Sequence, residues 1–315
     1  MPINVILGSG ISGLIASQFV NNPLIISKGE SSFAEKINVP QIIHYSASTY
    51  QFLRRFFSKK ELTTKSYKVG YFWNGKTHSK CPAQLVLSYY RKSRNIENDV
   101  KYSIEMKEAS TVMTGRKSIF KGFTVTIQQL AERIYNDIHW TNDIVWGNVV
   151  KIDTKKNAVY FRTSTGMRTI FYNNLISTIP ANIFFKLAGF NLIARQFKYA
   201  DITILKLPRE SDVFGNLLSQ LGYDYIYFPS EEFPFYRANF LHPGWIVYEF
   251  SQPQRTLTTC NAIRNAQMTN DVEVEFKMPA NTYALGRFAE WKHEVKVNET
   301  IDRAQEIAKV INKDT

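Results

Sequence analysis

The sequence predicts an α/β protein in which a domain with a parallel sheet is interleaved with a domain built on an antiparallel sheet. At the N-terminus, apolar Val5–Leu7, a glycine turn, a helical run to about Val20 and a strand at Pro23–Ser27 form a β-α-β unit. Between residues 200 and 250, apolar and polar residues alternate, which is typical of antiparallel strands. Neither a repeat nor a low-complexity linker separates the two patterns, so we expect the chain to cross between the domains several times.

The glycines of the first turn have the spacing Gly8-x-Gly10-x-x-Gly13. Gly8 permits the tight turn, Gly10 leaves room for a pyrophosphate against the backbone, and Gly13 lets the helix pack against the strand. The first N–H groups of the helix, at Ile11 and Ser12, point toward the phosphates with the positive end of the helix dipole. A strand before the turn and a helix after it are the context that this motif requires, so the sequence predicts dinucleotide binding. The alternative is a glycine turn in an ordinary α/β unit.

The end of the second strand departs from the usual dinucleotide-binding pattern. An acidic residue there normally accepts hydrogen bonds from the ribose hydroxyls, but this chain has Ser27 and Lys28, and Glu30 comes slightly late. A lysine cannot accept a hydrogen bond from a hydroxyl, although it can contact a phosphate. We therefore expect Lys28 to contact the dinucleotide and the ribose to be held in a different way.

The remaining elements follow from hydrophobic periodicity and turn signals. Asn74-Gly75 between two extended runs is a strong β-hairpin signal. The segment 123–137 begins extended and becomes an amphipathic helix. Further helices are predicted over residues 49–57, 83–94 and 298–311. Strands are predicted over residues 67–73, 76–78, 143–146, 148–152, 158–161, 168–172, 174–180, 201–207, 225–228, 235–240 and 245–250.

The amino-acid composition indicates the number of structural units and argues against a metal site or a membrane span. The 315 residues are 44% hydrophobic and 14% aromatic, which allows a large core and suggests two structural units. Cys81, Cys260 and the five histidines match no metal-binding spacing, so no metal site is predicted, and two free thiols favour a reducing, cytoplasmic compartment. The sequence contains no window of about 18 apolar residues, so no membrane span is predicted.

The net charge of +12 favours an anionic partner: a phosphorylated small molecule, a nucleic acid or a membrane surface. Abundant Lys, Asn, Ile, Phe and Tyr are typical of AT-rich genomes and suggest a viral or bacterial source; for a virus, the compartment is the host cytoplasm. The oligomeric state has no signal in the sequence.

Four features occur in a fixed order along the chain. They are the glycine turn, Leu175-Ile-Ser-Thr-Ile-Pro180, Tyr225-x-Tyr-Phe-Pro followed by Pro234-Phe-Tyr-Arg237, and Gly286-Arg-Phe-x-x-Trp291 before the final helix. Together they resemble the FAD-dependent amine oxidase and protoporphyrinogen oxidase superfamily, and the branch they resemble most is UDP-galactopyranose mutase. The resemblance implies a Rossmann-type FAD-binding domain (glutathione reductase-like) at residues 1–65, 126–182 and 262–315. It also implies a substrate domain, with an antiparallel sheet and a small helical insert, at residues 66–125 and 183–261.

The resemblance also implies roles for individual residues around FAD. Gly8, Gly10 and Gly13 match the pyrophosphate turn, and Val150 matches a backbone contact to adenine. Thr178 and Pro180 match the crossover that returns toward the flavin.

On the flavin side, Gly286 and Arg287 match the pair that flanks the flavin and its phosphates. Asn298 and Glu299 begin the last helix, whose N-terminus would stabilise negative charge at the flavin N1–C2=O edge. His44 falls in the segment that lies against the isoalloxazine in mutases.

The resemblance places substrate contacts at Tyr227 and Arg237, which match the mutase positions that hold a diphosphate. An arginine offers a rigid donor fork for phosphate, and a tyrosine adds a donor on an apolar body. The alternatives are a packing stripe for Tyr225, Tyr227 and Tyr236 and a structural ion pair for Arg237. His44, His293 and Tyr227 are further polar candidates for the reacting centre.

The chain departs from the mutase pattern in several places. Ser31-Ser32-Phe33 and Asn38-Val39-Pro40 replace the expected glycine pair, His293 replaces a tyrosine, and Val297 replaces an asparagine. The insert that carries a second diphosphate arginine is reduced, so only Arg91, Arg94 or Arg116 could substitute. We expect FAD binding to survive these changes better than mutase activity.

The resulting expectation is an FAD-dependent oxidoreductase that transfers hydride from an anionic or amine-bearing substrate to flavin N5. The alternatives are a mutase-like isomerase that uses reduced FAD, a flavoenzyme that modifies a nucleic-acid-linked group, and a basic binding protein that has lost its flavin.

Overall fold

The computed structural model describes residues 3–29, 41–94, 119–139, 144–251, 260–268, 276–292 and 295–313. The chain divides into two compact units. The first comprises Met1–Thr64, Phe123–Phe197 and Glu273–Thr315, and the second comprises Lys65–Gly122 and Lys198–Val272. Glu30, Ser31–Phe33, Asn38–Pro40, Arg116 and His293 lie outside the described residues.

The strands are β1 (Asn4–Leu7), β2 (Pro23–Ser27), β3 (Ile42–His44), β4 (Thr64–Trp73), β5 (Lys76–His78), β6 (Ile119–Thr126), β7 (Ile144–Trp146), β8 (Asn148–Asp153), β9 (Ala158–Thr163), β10 (Gly166–Phe171), β11 (Asn174–Ser177), β12 (Tyr199–Pro208), β13 (Tyr225–Tyr227), β14 (Arg237–Asn239), β15 (Trp245–Phe250), β16 (Cys260–Met268) and β17 (Thr282–Ala284). The α-helices are α1 (Ile11–Ser17), α2 (Ala47–Leu53), α3 (Ala83–Arg94), α4 (Ile127–His139), α5 (Ala181–Leu187), α6 (Asn191–Ala194), α7 (Val213–Gln220) and α8 (Val297–Ile311).

The first unit contains a parallel sheet with the strand order β17-β11-β1-β2-β7. The central strand β1 pairs in parallel with β2 and with β11. Every residue of β1 and β11 is buried, as expected for strands inside a parallel sheet. Helices α1 and α8 pack against each other, and Ile6, Leu14, Ile176 and Ile301 belong to one apolar core. This arrangement confirms the predicted α/β class with a Rossmann-type sheet.

A three-stranded antiparallel sheet with the order β10-β9-β8 also belongs to the first unit. The predicted pairing of the segments near 158–161 and 168–172 is confirmed, since Ala158 lies opposite Phe171 and Thr163 opposite Gly166. A register shift between Val149 and Lys151 interrupts the pairing of β8 with β9.

The second unit is built on a sheet whose strands follow the order β16-β12-β15-β14-β13-β4. Its neighbours are antiparallel except for β13 and β4, which pair in parallel. Buried aromatic side chains fill this unit, and Phe228 packs within 5 Å (centroid to centroid) of Phe233 and Phe235. The predicted antiparallel sheet between residues 200 and 250 is therefore confirmed, with one parallel pair added.

The unit boundaries differ from the predicted domain boundaries by a few residues near 65 and 123–125 and by more at two longer segments. Residues 183–197 belong to the first unit, because Phe185 and Phe197 stack at 5.7 Å and pack edge-to-face with Phe276. Residues 262–272 belong to the second unit, because β16 pairs along β12. Sequence periodicity carries no information about either long-range contact.

Several elements are shorter than predicted, among them α2 and β11. Helix α2 begins at Ala47, because Ser46 caps it with its Oγ accepting from the Thr49 N–H at 3.1 Å, and it ends at Leu53 instead of residue 57. Strand β11 ends at Ser177 instead of residue 180, where its partner β1 also ends. Within the described ranges, the model has no helix that is both long and apolar enough to cross a membrane.

The β4–β5 hairpin yields a stability prediction. Asn74 and Gly75 have φ of 50° and 71°, so both turn residues are left-handed, as an Asn-Gly hairpin requires. We expect Gly75→Ala to lower the free energy of unfolding of the second unit by about 1 kcal/mol, because a Cβ disfavours this conformation. Denaturant titration measures the change. Gly244→Ala, in the same unit at an exposed position without a positive φ, is the control and should change stability little. Equal losses in both variants would contradict the prediction.

Candidate functional site

The glycine turn is held between three strands of the first unit. At Gly8 the backbone has a φ of 100°, which favours glycine, and the Gly8 N–H donates to the carbonyl oxygen of Ile26 at 2.9 Å. Thr178 Oγ1 donates to the carbonyl oxygen of Leu7 at 2.7 Å. A Cβ on Gly8 would lie 2.7 Å from Thr178 Oγ1. The turn is thus fixed to β2 on one side and to the segment after β11 on the other.

Gly13 brings helix α1 directly against this turn. A Cβ at position 13 would overlap the carbonyl oxygen of Gly8, which is a backbone atom and cannot rotate away. Leu14, the next residue, is fully buried and its N–H donates to the Gly10 carbonyl oxygen at 3.0 Å. The predicted packing role of Gly13 therefore agrees with the geometry.

Gly10 faces open space. It is the N-cap of α1, its backbone is extended, and no side chain caps the helix there. A Cβ on Gly10 would meet no atom of the described residues within 4 Å. The N–H groups of Ile11, Ser12 and Gly13 precede the first full helical turn and have no carbonyl partner within the helix. The turn therefore presents backbone donors to a space that an anionic group can enter.

Near the end of β2, a pair of serines takes the place of the carboxylate that dinucleotide-binding folds usually have. Ser9 Oγ and Ser27 Oγ lie 2.7 Å apart, and Ser27 Oγ donates to the carbonyl oxygen of Gly29 at 2.9 Å. Both serines are buried, whereas Lys28 is exposed. Sequence analysis marked Ser27 only as a missing acid and did not identify Ser9. Its position between two glycines was the one available signal.

The segment after β17 lies against the start of α1. Gly286 has a φ of 94°, and a Cβ there would overlap the side chain of Ser12. The Gly286 N–H donates to Glu290 Oε1 at 2.9 Å, and Glu290 Oε2 forms an ion pair with Arg303 Nη1 on α8 at 2.7 Å. Burial raises the pKa of Glu290, while the Gly286 N–H and the Arg303 charge act in the opposite direction. The structure therefore brings Gly8, Gly13 and Thr178 together, and also Ser12 and Gly286.

Glu290 and Arg303 were not identified from the sequence. Glu290 follows Gly286 by four residues within the motif that carried the resemblance, so a buried acid at that spacing was the available signal.

His44 lies near the beginning of α8. Burial and the charge of Lys296 lower the pKa of His44 to about 4, and Glu299 opposes this shift. Glu299 Oε2 accepts from the Lys296 N–H at 3.0 Å, and Glu299 Oε1 accepts from Asn298 Nδ2 at 2.8 Å. The positive end of α8 therefore already carries one carboxylate, and His44 is neutral at pH 7.

Several buried polar atoms of the first unit have no hydrogen-bond partner among the described residues, and they include Ser177 Oγ and Asn298 Oδ1. Ser177, at the end of β11, is 1% exposed. Because buried polar atoms are normally hydrogen-bonded, both are available to a bound molecule.

The structure also places four other residues that were predicted to contact the cofactor. Val150 lies at the register shift of β8 and is 40% exposed. Pro180 is the N-cap of α5, where its carbonyl oxygen accepts from the Phe184 N–H at 2.9 Å. Arg287 lies 6.0 Å from the ring of Phe288 and makes further interactions. Thr178 takes part in the turn already described.

In the second unit, Arg237 is engaged by a carboxylate. Its Nε donates to Glu249 Oε1 at 2.9 Å and its Nη2 to Glu249 Oε2 at 2.6 Å. The rings of Tyr225 and Tyr227 lie 5.6 and 5.9 Å from the guanidinium carbon. Glu249 also accepts from the hydroxyl of Tyr236 at 2.8 Å. Of the two sequence interpretations of Arg237, the geometry favours the structural ion pair, and Glu249 is a residue that sequence analysis missed.

The Glu249 carboxylate is 5% exposed, whereas the Arg237 side chain is 32% exposed. Burial and the Glu249 charge raise the pKa of Tyr236 well above its usual range, so its hydroxyl stays protonated and donates to the carboxylate. Among the described residues, no group of three His, Cys, Asp or Glu side chains is arranged to hold a metal ion.

The lowered pKa of His44 yields a pH prediction. The unfolded chain has a histidine pKa near 6.5 and therefore binds more protons than the folded chain between pH 6.5 and pH 4. We expect the contribution of His44 to stability to be complete above this window and to fall as the pH falls through it. NMR titration of the imidazole should give a midpoint near pH 4, and His44→Gln should flatten the pH dependence of unfolding. His242→Gln, in the other unit, is the control; an imidazole midpoint near 6.5 would refute the assignment.

Comparisons with known proteins were made at the level of sequence and of structure. Neither a protein-family model nor a curated protein sequence matches the chain. Solved structures do match. Reduced UDP-galactopyranose mutase is 12% identical with a TM-score of 0.66, covering 100% of this chain and 94% of that chain. A cofactor-binding redesign of putrescine oxidase is 8% identical with a TM-score of 0.59, covering 99% of both chains.

A putative protoporphyrinogen oxidase from Exiguobacterium is 10% identical with a TM-score of 0.58, covering 100% of this chain and 99% of that chain. Likeness at such low identity establishes the fold. The chain therefore has the fold shared by UDP-galactopyranose mutase, putrescine oxidase and protoporphyrinogen oxidase-like proteins, as its resemblance to the FAD-dependent amine oxidase superfamily implied.

Proposed function

We propose that the chain binds FAD and acts as an FAD-dependent oxidoreductase on an anionic or amine-bearing substrate. The observation that carries the proposal is the glycine turn, in which Gly8 and Gly13 are required by close packing while Gly10 faces open space. Packing explains two of the three glycines. The third is explained by a ligand that approaches the backbone, as the pyrophosphate of a dinucleotide does.

The residues of the first unit fit such a cofactor at more than one point. The N–H groups of Ile11, Ser12 and Gly13 can donate to the pyrophosphate, and the exposed Lys28 can contribute a positive charge. The Ser9–Ser27 pair takes the place of the ribose carboxylate, and a hydroxyl can accept as well as donate a hydrogen bond. Ser177 Oγ and Asn298 Oδ1 are further unsatisfied atoms for polar groups of the cofactor.

When bound, FAD would accept a hydride at N5 from a substrate carbon next to nitrogen or oxygen. The chain's own contribution is positioning and exclusion of water, and no side chain has to act as a base. His44 is neutral at pH 7, so it can donate and accept hydrogen bonds there without adding charge. Tyr227, Arg237 and His293 remain candidates for substrate contacts under this proposal.

The fold neighbours support the proposal. One of them concerns the redesign of cofactor binding in putrescine oxidase, and others are a protoporphyrinogen oxidase-like protein and an oxidoreductase. We extend oxidoreductase chemistry to this chain because its glycine turn is intact.

Cofactor binding is tested with Gly10. The purified protein should absorb near 450 nm, about where oxidised flavins absorb, and release FAD on denaturation. We expect Gly10→Ala to weaken FAD binding by about tenfold or more, because the added Cβ fills the space of the pyrophosphate. The stability of the cofactor-free protein should be unchanged, since that Cβ meets no atom of the described residues within 4 Å. Fluorescence titration with FAD and thermal unfolding measure the two effects.

Gly244→Ala, in the second unit, is the matched control and should bind FAD as the parent protein does. A colourless protein that takes up no FAD would overturn the proposal and favour a basic binding protein without flavin. An unchanged FAD affinity in Gly10→Ala would remove the assignment of the turn to the pyrophosphate.

A second candidate is a mutase-like isomerase that uses reduced FAD. It is favoured by the TM-score of 0.66 to reduced UDP-galactopyranose mutase, against 0.59 for putrescine oxidase. The Arg237–Glu249 pair opposes it, because a guanidinium bound to a buried carboxylate has less capacity to hold a substrate diphosphate.

We therefore expect dithionite-reduced, FAD-loaded protein to form no isomer from UDP-galactopyranose, as measured by chromatography of the nucleotide sugars. Glu249→Gln, which removes the charge that binds Arg237, should not create the activity if the oxidoreductase assignment is right. Isomer formation that depends on reduced flavin and is lost in Arg237→Ala would replace the oxidoreductase assignment with the mutase.

A further inference from the structure

The three-stranded β8-β9-β10 sheet has one buried face and one open face. Val159 and Phe161 of β9 are fully buried on one side. The cross-strand pairs of the register assign the alternate residues to the open side, because paired residues point to the same face. The register places three rows on this side: Asn148, Arg162 and Met167; Lys151, Tyr160 and Thr169; and Asp153, Ala158 and Phe171, of which Ala158 is fully buried.

This open face exposes large apolar and aromatic side chains. Phe171 is 65% exposed and Met167 is 55% exposed, both on β10, which is an edge strand among the described residues. Tyr160 is half-buried, and its register places it diagonally from Phe171 on the same face. Diagonal neighbours lie about 7–8 Å apart, within reach of long side chains. Two aromatic rings are therefore presented side by side on a flat surface.

Positive charge surrounds these rings. The segment 148–172 contains a single acidic residue, Asp153, against five basic residues: Lys151, Lys155, Lys156, Arg162 and Arg168. Arg162 is exposed, and the Lys151 side chain is 62% exposed. Asp153 lies 3.8 Å from Lys151 Nζ and also accepts from the Lys156 N–H at 3.1 Å, so one carboxylate is shared by two partners. Within the three rows, Lys151 and Arg162 stand against Asp153, so the face keeps a positive charge; Arg168, opposite Phe161, belongs to the other side of the sheet.

The charge determines which partner fits. Pairing of two copies through the β10 edge would bring the Arg168 side chains of the two copies close together, and like charges repel. A polyanion is attracted instead. Aromatic rings between basic side chains are the combination that binds single-stranded nucleic acid, because bases stack on the rings while the phosphates contact the cations.

We propose that the open face of the β8-β9-β10 sheet binds single-stranded nucleic acid, with Phe171 and Tyr160 stacking on bases and Lys151 and Arg162 contacting phosphates. The binding is independent of FAD and of the proposed oxidoreductase activity. It uses a different surface of the first unit from the glycine turn, and it accounts for part of the net charge of +12.

The test uses the full chain and a fluorescein-labelled oligothymidylate of about 20 nucleotides, with fluorescence anisotropy at about 50 mM and 200 mM salt. We expect binding that weakens as salt rises. Phe171→Ala should weaken it by about five- to a hundredfold, the range for loss of one base-stacking ring. Arg162→Glu should weaken binding and reduce its salt dependence, because one phosphate contact is lost.

Two variants control for composition and charge. Leu192→Ala removes a side chain that is 79% exposed elsewhere in the same unit, and Lys309→Glu reverses an exposed charge on α8. Both should bind the oligonucleotide within about twofold of the parent protein. Ultraviolet crosslinking of the parent protein followed by peptide mass spectrometry should locate the contact within residues 148–172. This measurement does not depend on the folding of any variant.

Three outcomes would overturn the proposal. The first is an absence of oligonucleotide binding at low salt. The second is equal weakening by the face variants and their controls, or a crosslink outside residues 148–172. The third is a preference for polyglutamate over the oligonucleotide, which would assign the face to an acidic peptide. FAD content of each variant, read from its absorbance, separates failure of this proposal from failure of the oxidoreductase proposal.

Discussion

The first unit depends on one close approach between backbone segments, that of Gly13 to the carbonyl oxygen of Gly8. Because no side chain separates them, α1 leaves the turn directly against the end of β1. Thr178 Oγ1 bonds the Leu7 carbonyl oxygen from the neighbouring segment, so the turn has little freedom to move. Gly286 then packs against Ser12, which places the segment after β17 at the same position. A Cβ at Gly8, Gly13 or Gly286 would push these segments apart, which explains why glycine occupies all three positions.

Much of this could be predicted from the sequence, because its causes are local. The spacing of Gly8, Gly10 and Gly13, the Asn74-Gly75 hairpin and the alternation in the second unit are each contained within a few residues. The side-chain pairs of the candidate site, in contrast, join residues that are far apart in the sequence. Ser9 and Ser27 are 18 residues apart, and Arg237 and Glu249 are 12 apart. Nothing in the periodicity of either segment indicates which polar side chain will lie opposite which.

The boundary between the units likewise depends on long-range contacts that the sequence pattern does not indicate. Proline at position 180 was expected to end the preceding strand and a new domain to begin shortly after it, but the strand already ends at Ser177. The structure keeps residues up to Phe197 in the first unit, because aromatic rings at 185 and 197 pack with Phe276 from near the other end of the chain. The apolar residues of a helix such as α5 indicate that the helix is buried, but they do not indicate which segment it packs against.

The Arg237–Glu249 pair shows how such contacts change a functional assignment. A diphosphate could reach the guanidinium only by sharing it with a carboxylate that is 5% exposed. If the arginine moved away, the Tyr236 hydroxyl would be the remaining side-chain donor to the Glu249 carboxylate among the described residues. Leaving a buried charge without its partner costs about 3–5 kcal/mol. A substrate phosphate would have to offset this cost before contributing to affinity, whereas a substrate that leaves the pair intact meets no such cost. The arginine that first suggested a mutase therefore argues, once its partner is known, against that assignment.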